Sequence, residues 1–260
     1  MDDVRAVLLD IDGVLTVSWE PLAGAVEAVR ALRDAGLLLV LVTNTSSRTR
    51  ARIAELLAHA GFPVDADAVL TAAAATAAHL REHHPGARCM LLNSGDVAED
   101  LEGVTLVGPD DEPEVVVLGG AGPEFTYEAL NGVFAHLQRG AALVAFHRNL
   151  YWRTDQGLQL DTGAVLLGLE KAADTEAAIV GKPSAAFFTA ALRAAGVSAD
   201  HAVMVGDDLE ADVLGAQAAG ITGVLVRTGK FRESDEEGAH GERPRHIVDS
   251  VADLPGLLGV

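Results

Sequence analysis

The sequence predicts an α/β protein on a parallel sheet, with a second α/β domain inserted into the first. Three observations predict it. Continuous apolar runs alternate with helical patterns, as strands buried on both faces of a parallel sheet do. Several of these runs stop at acidic or hydroxyl residues. A long stretch then separates the second such stop from the third, more than a simple crossover uses.

Val7-Leu8-Leu9 is the first run, and it ends in Asp10-Ile11-Asp12-Gly13. A core does not accept two unpaired carboxylates, so they belong at a strand end, where ligands of open α/β sheets bind. Leu22, Val26, Val29 and Leu32 follow at helical spacing, with Pro21 before them and Gly36 after. Leu37 to Val42 is the second run and stops at Thr43-Asn44-Thr45. A helix is expected over 48–60, closed by Gly61. This βαβα opening implies parallel pairing with right-handed crossovers.

The insertion is expected over 71–177, between core parts 1–70 and 178–260. Its pattern is again α/β: helices near 72–81, 126–139 and 165–173, and strands near 88–93, 104–107, 114–118 and 142–146. Its linkers, near Val69 to Thr71 and Asp174 to Ala178, are hinge candidates. The Gly119-Gly120-Ala121-Gly122 turn lacks the phosphate-loop pattern and reads as a plain loop. Beyond the insertion, the short apolar pair Ile179-Val180 precedes Gly181-Lys182, and a helix is expected over 184–195. The strand 201–205 ends in Gly206-Asp207-Asp208, a helix is expected over 209–219 and a strand over 223–226. The charged stretch 232–245 reads as a mobile loop.

The chain has 260 residues, enough for a large core, and a formal charge of −19 from 38 acids against 19 Lys and Arg. That balance opposes nucleic-acid and anionic-membrane binding, because counterion release has the wrong sign. No apolar run reaches the ~20 residues a membrane span needs, so a cytoplasmic protein is expected. The single cysteine, Cys89, leaves no internal disulfide and reads as a buried strand thiol.

Asp10 and Asp12, Thr43 and Asn44, Lys182, and Asp207 and Asp208 are expected on one sheet edge. Together they describe a phosphoryl-transfer pocket. Asp10 and Asp207 are hard oxygen ligands suited to Mg²⁺. Thr43, Asn44 and Lys182 can hold phosphoryl oxygens. Asp212 lies four residues beyond Asp208 and reads equally as an orienter of Lys182 or as an exposed helix acid. His59, His79, His83, His84, His136 and His240 show no metal-ligand spacing beside strand-end carboxylates and read as helix or surface residues.

The succession DIDGV, TNTSS, GKPS and GDDLEAD resembles the haloacid dehalogenase-like superfamily. The large insertion resembles the type-2 cap of its nitrophenylphosphatase branch. That resemblance implies a Rossmann-like three-layer α/β/α core with an inserted cap. It implies a phosphatase acting on a small phosphomonoester or pyrophosphate-like compound with Mg²⁺. Asp10 would be the nucleophile that becomes an aspartyl-phosphate, and Asp12 the acid and then the base, with its backbone carbonyl on the metal. Asp10, Ile11, Asp12, Thr43, Asn44 and Lys182 would bind phosphate, Asp207 would complete the metal site, and Asp208 and Asp212 would support it. In the insertion, His147, Arg148, Asn149 and Tyr151 either read the leaving group or form a surface turn. A homodimer through the cap is compatible with the resemblance. Two other readings differ in chemistry. A receiver-like phosphoacceptor needs about half this length and no insertion. A metal-independent dehalogenase has no use for Asp12.

Overall fold

The structure, a computed structural model, describes residues 3–154 and 157–260. Its central element is Ala6–Asp10, every residue of which is buried. On one side this strand pairs in parallel with Leu38–Thr43, on the other with Ala202–Gly206. The six-stranded sheet runs His246–Val248, Thr222–Val226, Ala202–Gly206, Ala6–Asp10, Leu38–Thr43, Val69–Thr71. Register sets which polar ends meet. Leu9 stands beside Val205 and Asp10 beside Val42, so Asp10, Thr43 and Asp207 come at one carboxyl edge. Parallel strands alone allow this, since an antiparallel neighbour would bring its other end.

One core serves this sheet and its helices, with Leu9, Val29, Leu41, Ile53, Leu57, Val205 and Leu254 all shielded from solvent. Each such side chain contributes about 1.5–3 kcal/mol by leaving water. The helices are Ala25–Asp34, Arg50–His59, Ala185–Ala195 and a short Leu254–Leu258. Ser184 caps the third by accepting a hydrogen bond from the Phe187 amide at 3.2 Å.

The chain divides into two compact units. One comprises the chain up to Thr43, Arg50–Leu70 and Lys182–Val260; the other comprises Asn44–Thr49 and Thr71–Gly181. The second unit has a five-stranded parallel sheet in the order Ala178–Ile179, Ala142–Ala145, Val115–Leu118, Arg88–Leu92, Thr105–Leu106. Its helices are Ala72–His83, Tyr127–Gln138 and Thr162–Ala173. Residues 44–49 group here because the Asn93 amide donates to the Ser46 carbonyl at 3.0 Å.

The structure adds local detail to four expectations. Ala178–Ile179, expected in the first sheet, pairs with Val144 and Ala145 of the second. Lys182 therefore does not follow a strand of the six-stranded sheet. The expected helix over 209–219 is a wide π-type turn over Leu209–Leu214 followed by a short helix, Gly215–Ala218. The Asp208 carboxylate caps that turn by accepting the Ala211 amide at 3.0 Å, and the Asp208 carbonyl accepts the Val213 amide, five residues on, at 3.4 Å, which makes the turn wide. Within the stretch expected to be a mobile loop, a short 3₁₀ turn forms over Glu233–Glu237, and Asp235 accepts the Arg232 amide at 2.8 Å. Arg227 ties this turn down by pairing with Glu236 at 2.8 Å. Finally, Tyr151–Thr154 and Gly157–Leu160 pair antiparallel, where the sequence offers either a segment that reads the leaving group or a surface turn.

Candidate active site

Three buried carboxylates and a buried ammonium meet within the first unit. One oxygen each of Asp10, Asp207 and Asp212 lie within 4.8 Å of one another. Lys182 reaches Asp10 Oδ1 and Asp212 Oδ1, each at 2.6 Å, and is itself only 4% exposed. Two anions around one cation leave the cluster acid-rich. Burial raises the Asp10 carboxyl above the ordinary range although Lys182 opposes it. Asp207 is pushed up to about 8, by burial first and then by Asp10 and Asp212. Burial takes Asp212 to about 6 against the pull of Lys182. Burial also works against the Lys182 charge, yet Asp10 and Asp212 outweigh it and hold the ammonium above its ordinary value.

Asp212 is the informative case. Sequence left it between an orienter of Lys182 and an exposed helix acid, and the structure buries it to 1% against Lys182. The wide turn over Leu209–Leu214 carries it there, and Asp212 Oδ2 also accepts the Asp208 amide at 3.2 Å.

Asp207 is held from another side. Its Oδ2 accepts the Lys230 backbone amide at 2.7 Å, while its buried Oδ1 has no hydrogen-bond partner among the described residues. Lys230 Nζ stands 3.4 Å from Asp208 Oδ2. Gly13 and Gly229 wrap the same carboxylate. Both have positive φ, +87° and +63°, and a Cβ on either would fall within about 2 Å of Asp207 Oδ2. Lys230 had one signal in the sequence. Thr228-Gly229-Lys230 is a further polar stop shortly after an apolar strand, and its hydroxyl partner is the Gly13 carbonyl, accepting from Thr228 Oγ1.

The remaining candidates take separate places. Thr43 ends its strand at 3% exposure, and Ile11 is buried at 1%. Asp12 is exposed, and its backbone bridges to Thr16. Its carboxylate is not one of the three clustered, although its charge adds to the raising of Asp10. Asn44 falls in the second unit. There, His147 is buried, with Nε2 3.8 Å from Asp161 Oδ2. Arg148 forms a bidentate pair with Glu170 at 2.6 and 2.7 Å. Asn149 and Tyr151 are exposed. The side chain of Trp152, in the same segment, lies outside the described residues.

The carboxylate cluster fits a divalent cation by its donor chemistry. It offers hard oxygens only, one of them, Asp207 Oδ1, buried and without a donor, in a glycine-lined cradle. Among the described residues, no helix is long and apolar enough to cross a membrane.

Similarity to known proteins bears on the same region. Residues 7–106 match the family model described as haloacid dehalogenase-like hydrolase, and 179–254 match a second described as HAD-hydrolase-like. Phospholysine phosphohistidine inorganic pyrophosphate phosphatase of Rattus norvegicus is 38% identical over 99% of this chain and 95% of its own. The structure of p-nitrophenyl phosphatase from Archaeoglobus fulgidus superposes with a TM-score of 0.91 at 29% identity, covering 98% of this chain and all of that one. Glycerol phosphate phosphatase of Mycobacterium tuberculosis, solved in complex with magnesium, gives 0.87 at 28% identity, over 97% and 76%.

Proposed function

The chain belongs to the haloacid dehalogenase-like hydrolases, and from that premise we propose a Mg²⁺-dependent phosphatase for small phosphorylated compounds, working through an aspartyl-phosphate on Asp10. The observation that carries it is the meeting of Asp10, Asp207 and Asp212 within 4.8 Å of one another, with Lys182 on Asp10 and Asp212. Such a cluster is costly to bury unless charge is to be compensated there.

Asp10 and Asp207, with the backbone carbonyl of Asp12, would hold Mg²⁺. When bound, that ion supplies the positive charge that lets a phosphate dianion approach the carboxylates. Lys182 holds Asp10 Oδ1, orienting the carboxylate so that its other oxygen attacks phosphorus. The bond to the leaving oxygen breaks, and Asp12 gives that oxygen its proton. Asp12, exposed and outside the ionic cluster, then takes a proton from water as the water attacks phosphorus. Inorganic phosphate leaves and the Asp10 carboxylate is restored. The Thr43 hydroxyl, the Ile11 backbone and Asn44, adjacent in sequence to Thr43, would carry phosphoryl oxygens. Asp212 fixes Lys182, and Asp208 supports the edge through Lys230.

The inserted unit would act as the cap, with His147, Arg148, Asn149 and Tyr151 setting the choice of substrate. The substrate class rests on what similar proteins are named for: nitrophenyl phosphate, glycerol phosphate and pyrophosphate. The test is hydrolysis of a panel of phosphomonoesters and pyrophosphate by the wild type and by Asp10→Asn. Turnover is expected in the wild type and its loss, with the fold intact, in the variant. Activity of Asp10→Asn within about tenfold of wild type would exclude the covalent route.

A further inference from the structure

The helix Ala72–His83 of the second unit ends in a group of imidazoles that the phosphatase chemistry does not use. His79 and His83 are four residues apart, hence one above the other on one helix face. Their ring centroids are 4.4 Å apart with planes inclined by 44°. Two imidazole nitrogens bound cis to one ion at about 2.0–2.1 Å place the ring centroids about 4.5 Å apart. The centroid separation of the pair therefore matches that of a cis chelate. His84, at 6.2 Å from His79, is too far for the same cis position.

His79 is half-buried. His83 is exposed, so water can fill the remaining positions.

We propose that His79 and His83 form a second metal site, separate in sequence and chemistry from the carboxylate cluster. It takes a divalent transition ion that favours imidazole and near-square cis geometry, Cu²⁺ or Ni²⁺, and not Mg²⁺. The consequence is local. A bound ion clamps the last turn of this helix, where the chain leaves the helical path at His84.

The experiment titrates Cu²⁺ into the full-length protein in excess Mg²⁺, added to compete at the carboxylates, and uses calorimetry and electron paramagnetic resonance. Expected are one equivalent bound and superhyperfine splitting from two nitrogens. His83→Gln, at an exposed position that tolerates change, and His79→Gln should each weaken binding by at least about tenfold, because a single imidazole loses the chelate advantage. His240→Gln, on the other unit, should leave it unchanged. Equal affinity in His83→Gln and wild type, or a Cu²⁺ spectrum without nitrogen coupling, would overturn the proposal.

Discussion

Lys182 Nζ stands 2.6 Å from Asp212 Oδ1 with both side chains almost wholly buried. The same ammonium holds Asp10 Oδ1 at 2.6 Å, so one cation compensates two carboxylates in the interior. Removing it leaves buried charge without a partner, which costs far more than the net worth of the pair. Lys182→Met is therefore expected to lower unfolding free energy by about 3–5 kcal/mol in metal-free protein, and to abolish turnover. Urea denaturation checks the first outcome. A loss below about 1 kcal/mol would mean the acids discharge each other by taking up protons.

Asp12 should behave oppositely, because it is exposed and outside the cluster. Asp12→Asn is expected to leave thermal stability within about 0.5 kcal/mol of wild type. With an ester whose leaving group needs no proton, the variant should still phosphorylate Asp10 and then stall. Rapid quench would show a burst and then slow turnover. Absence of trapped phosphoenzyme would remove Asp12 from the second step alone and implicate it in the first.

The raised carboxyls give metal-free protein a defined pH dependence. A carboxyl whose folded pKa is raised contributes stability below its unfolded value, near 4, and loses it as pH rises through the folded value. With Asp212 pushed to about 6 and Asp207 to about 8, this contribution fades between about pH 4 and pH 8. Without divalent cation, Tm is expected to fall from pH 5.5 to pH 8.5, and Asp207→Asn to flatten the fall. Mg²⁺ should raise Tm more at the higher pH, since it competes with protons for the same oxygens. A Mg²⁺ shift independent of pH would place the ion elsewhere.

Substrate choice is the property proposed for the segment 147–151. Tyr151→Ala and Asn149→Ala, at exposed positions, are expected to change the ranking of kcat/KM among several esters while leaving Mg²⁺ dependence unaltered. Arg148→Ala breaks a bidentate pair whose partner, Glu170, also accepts the Ala177 amide at 2.7 Å, so it should lower stability as well. Equal losses on every ester, for all three variants, would make the segment structural.

Much of the architecture was legible because burial is written locally. Val7-Leu8-Leu9 and Val203-Met204-Val205 read as buried strands, and the acids at their ends, Asp10 and Asp207, belong at an edge. Helix bounds came within a few residues at Arg50–His59 and Tyr127–Gln138, where caps and apolar spacing agree. Over 209–219 the expected helix is present but opens as a wide turn, because the Asp208 carbonyl accepts the Val213 amide five residues on, a choice of partner that composition does not reveal. The pairing of Tyr151–Thr154 with Gly157–Leu160 was illegible for a different reason. Leu158, Gln159 and Leu160 are all exposed, so no buried face marks the second strand.

What the sequence determined by itself is which residues end the strands and therefore which chemistry can gather at one edge: carboxylates, a hydroxyl and an ammonium. Parallel strands of continuous apolar residues have one direction, and their polar ends must share a side. Only the tertiary structure decided the pairing within that set. It joined Lys182 to Asp212, set the Lys230 amide on Asp207, left Asp12 outside the clustered carboxylates, and moved Ala178–Ile179 into the second sheet. Those choices rest on register and crossovers between segments far apart in the chain. Local pattern carries burial and direction, but it carries no information on which distant partner will lie within hydrogen-bond reach.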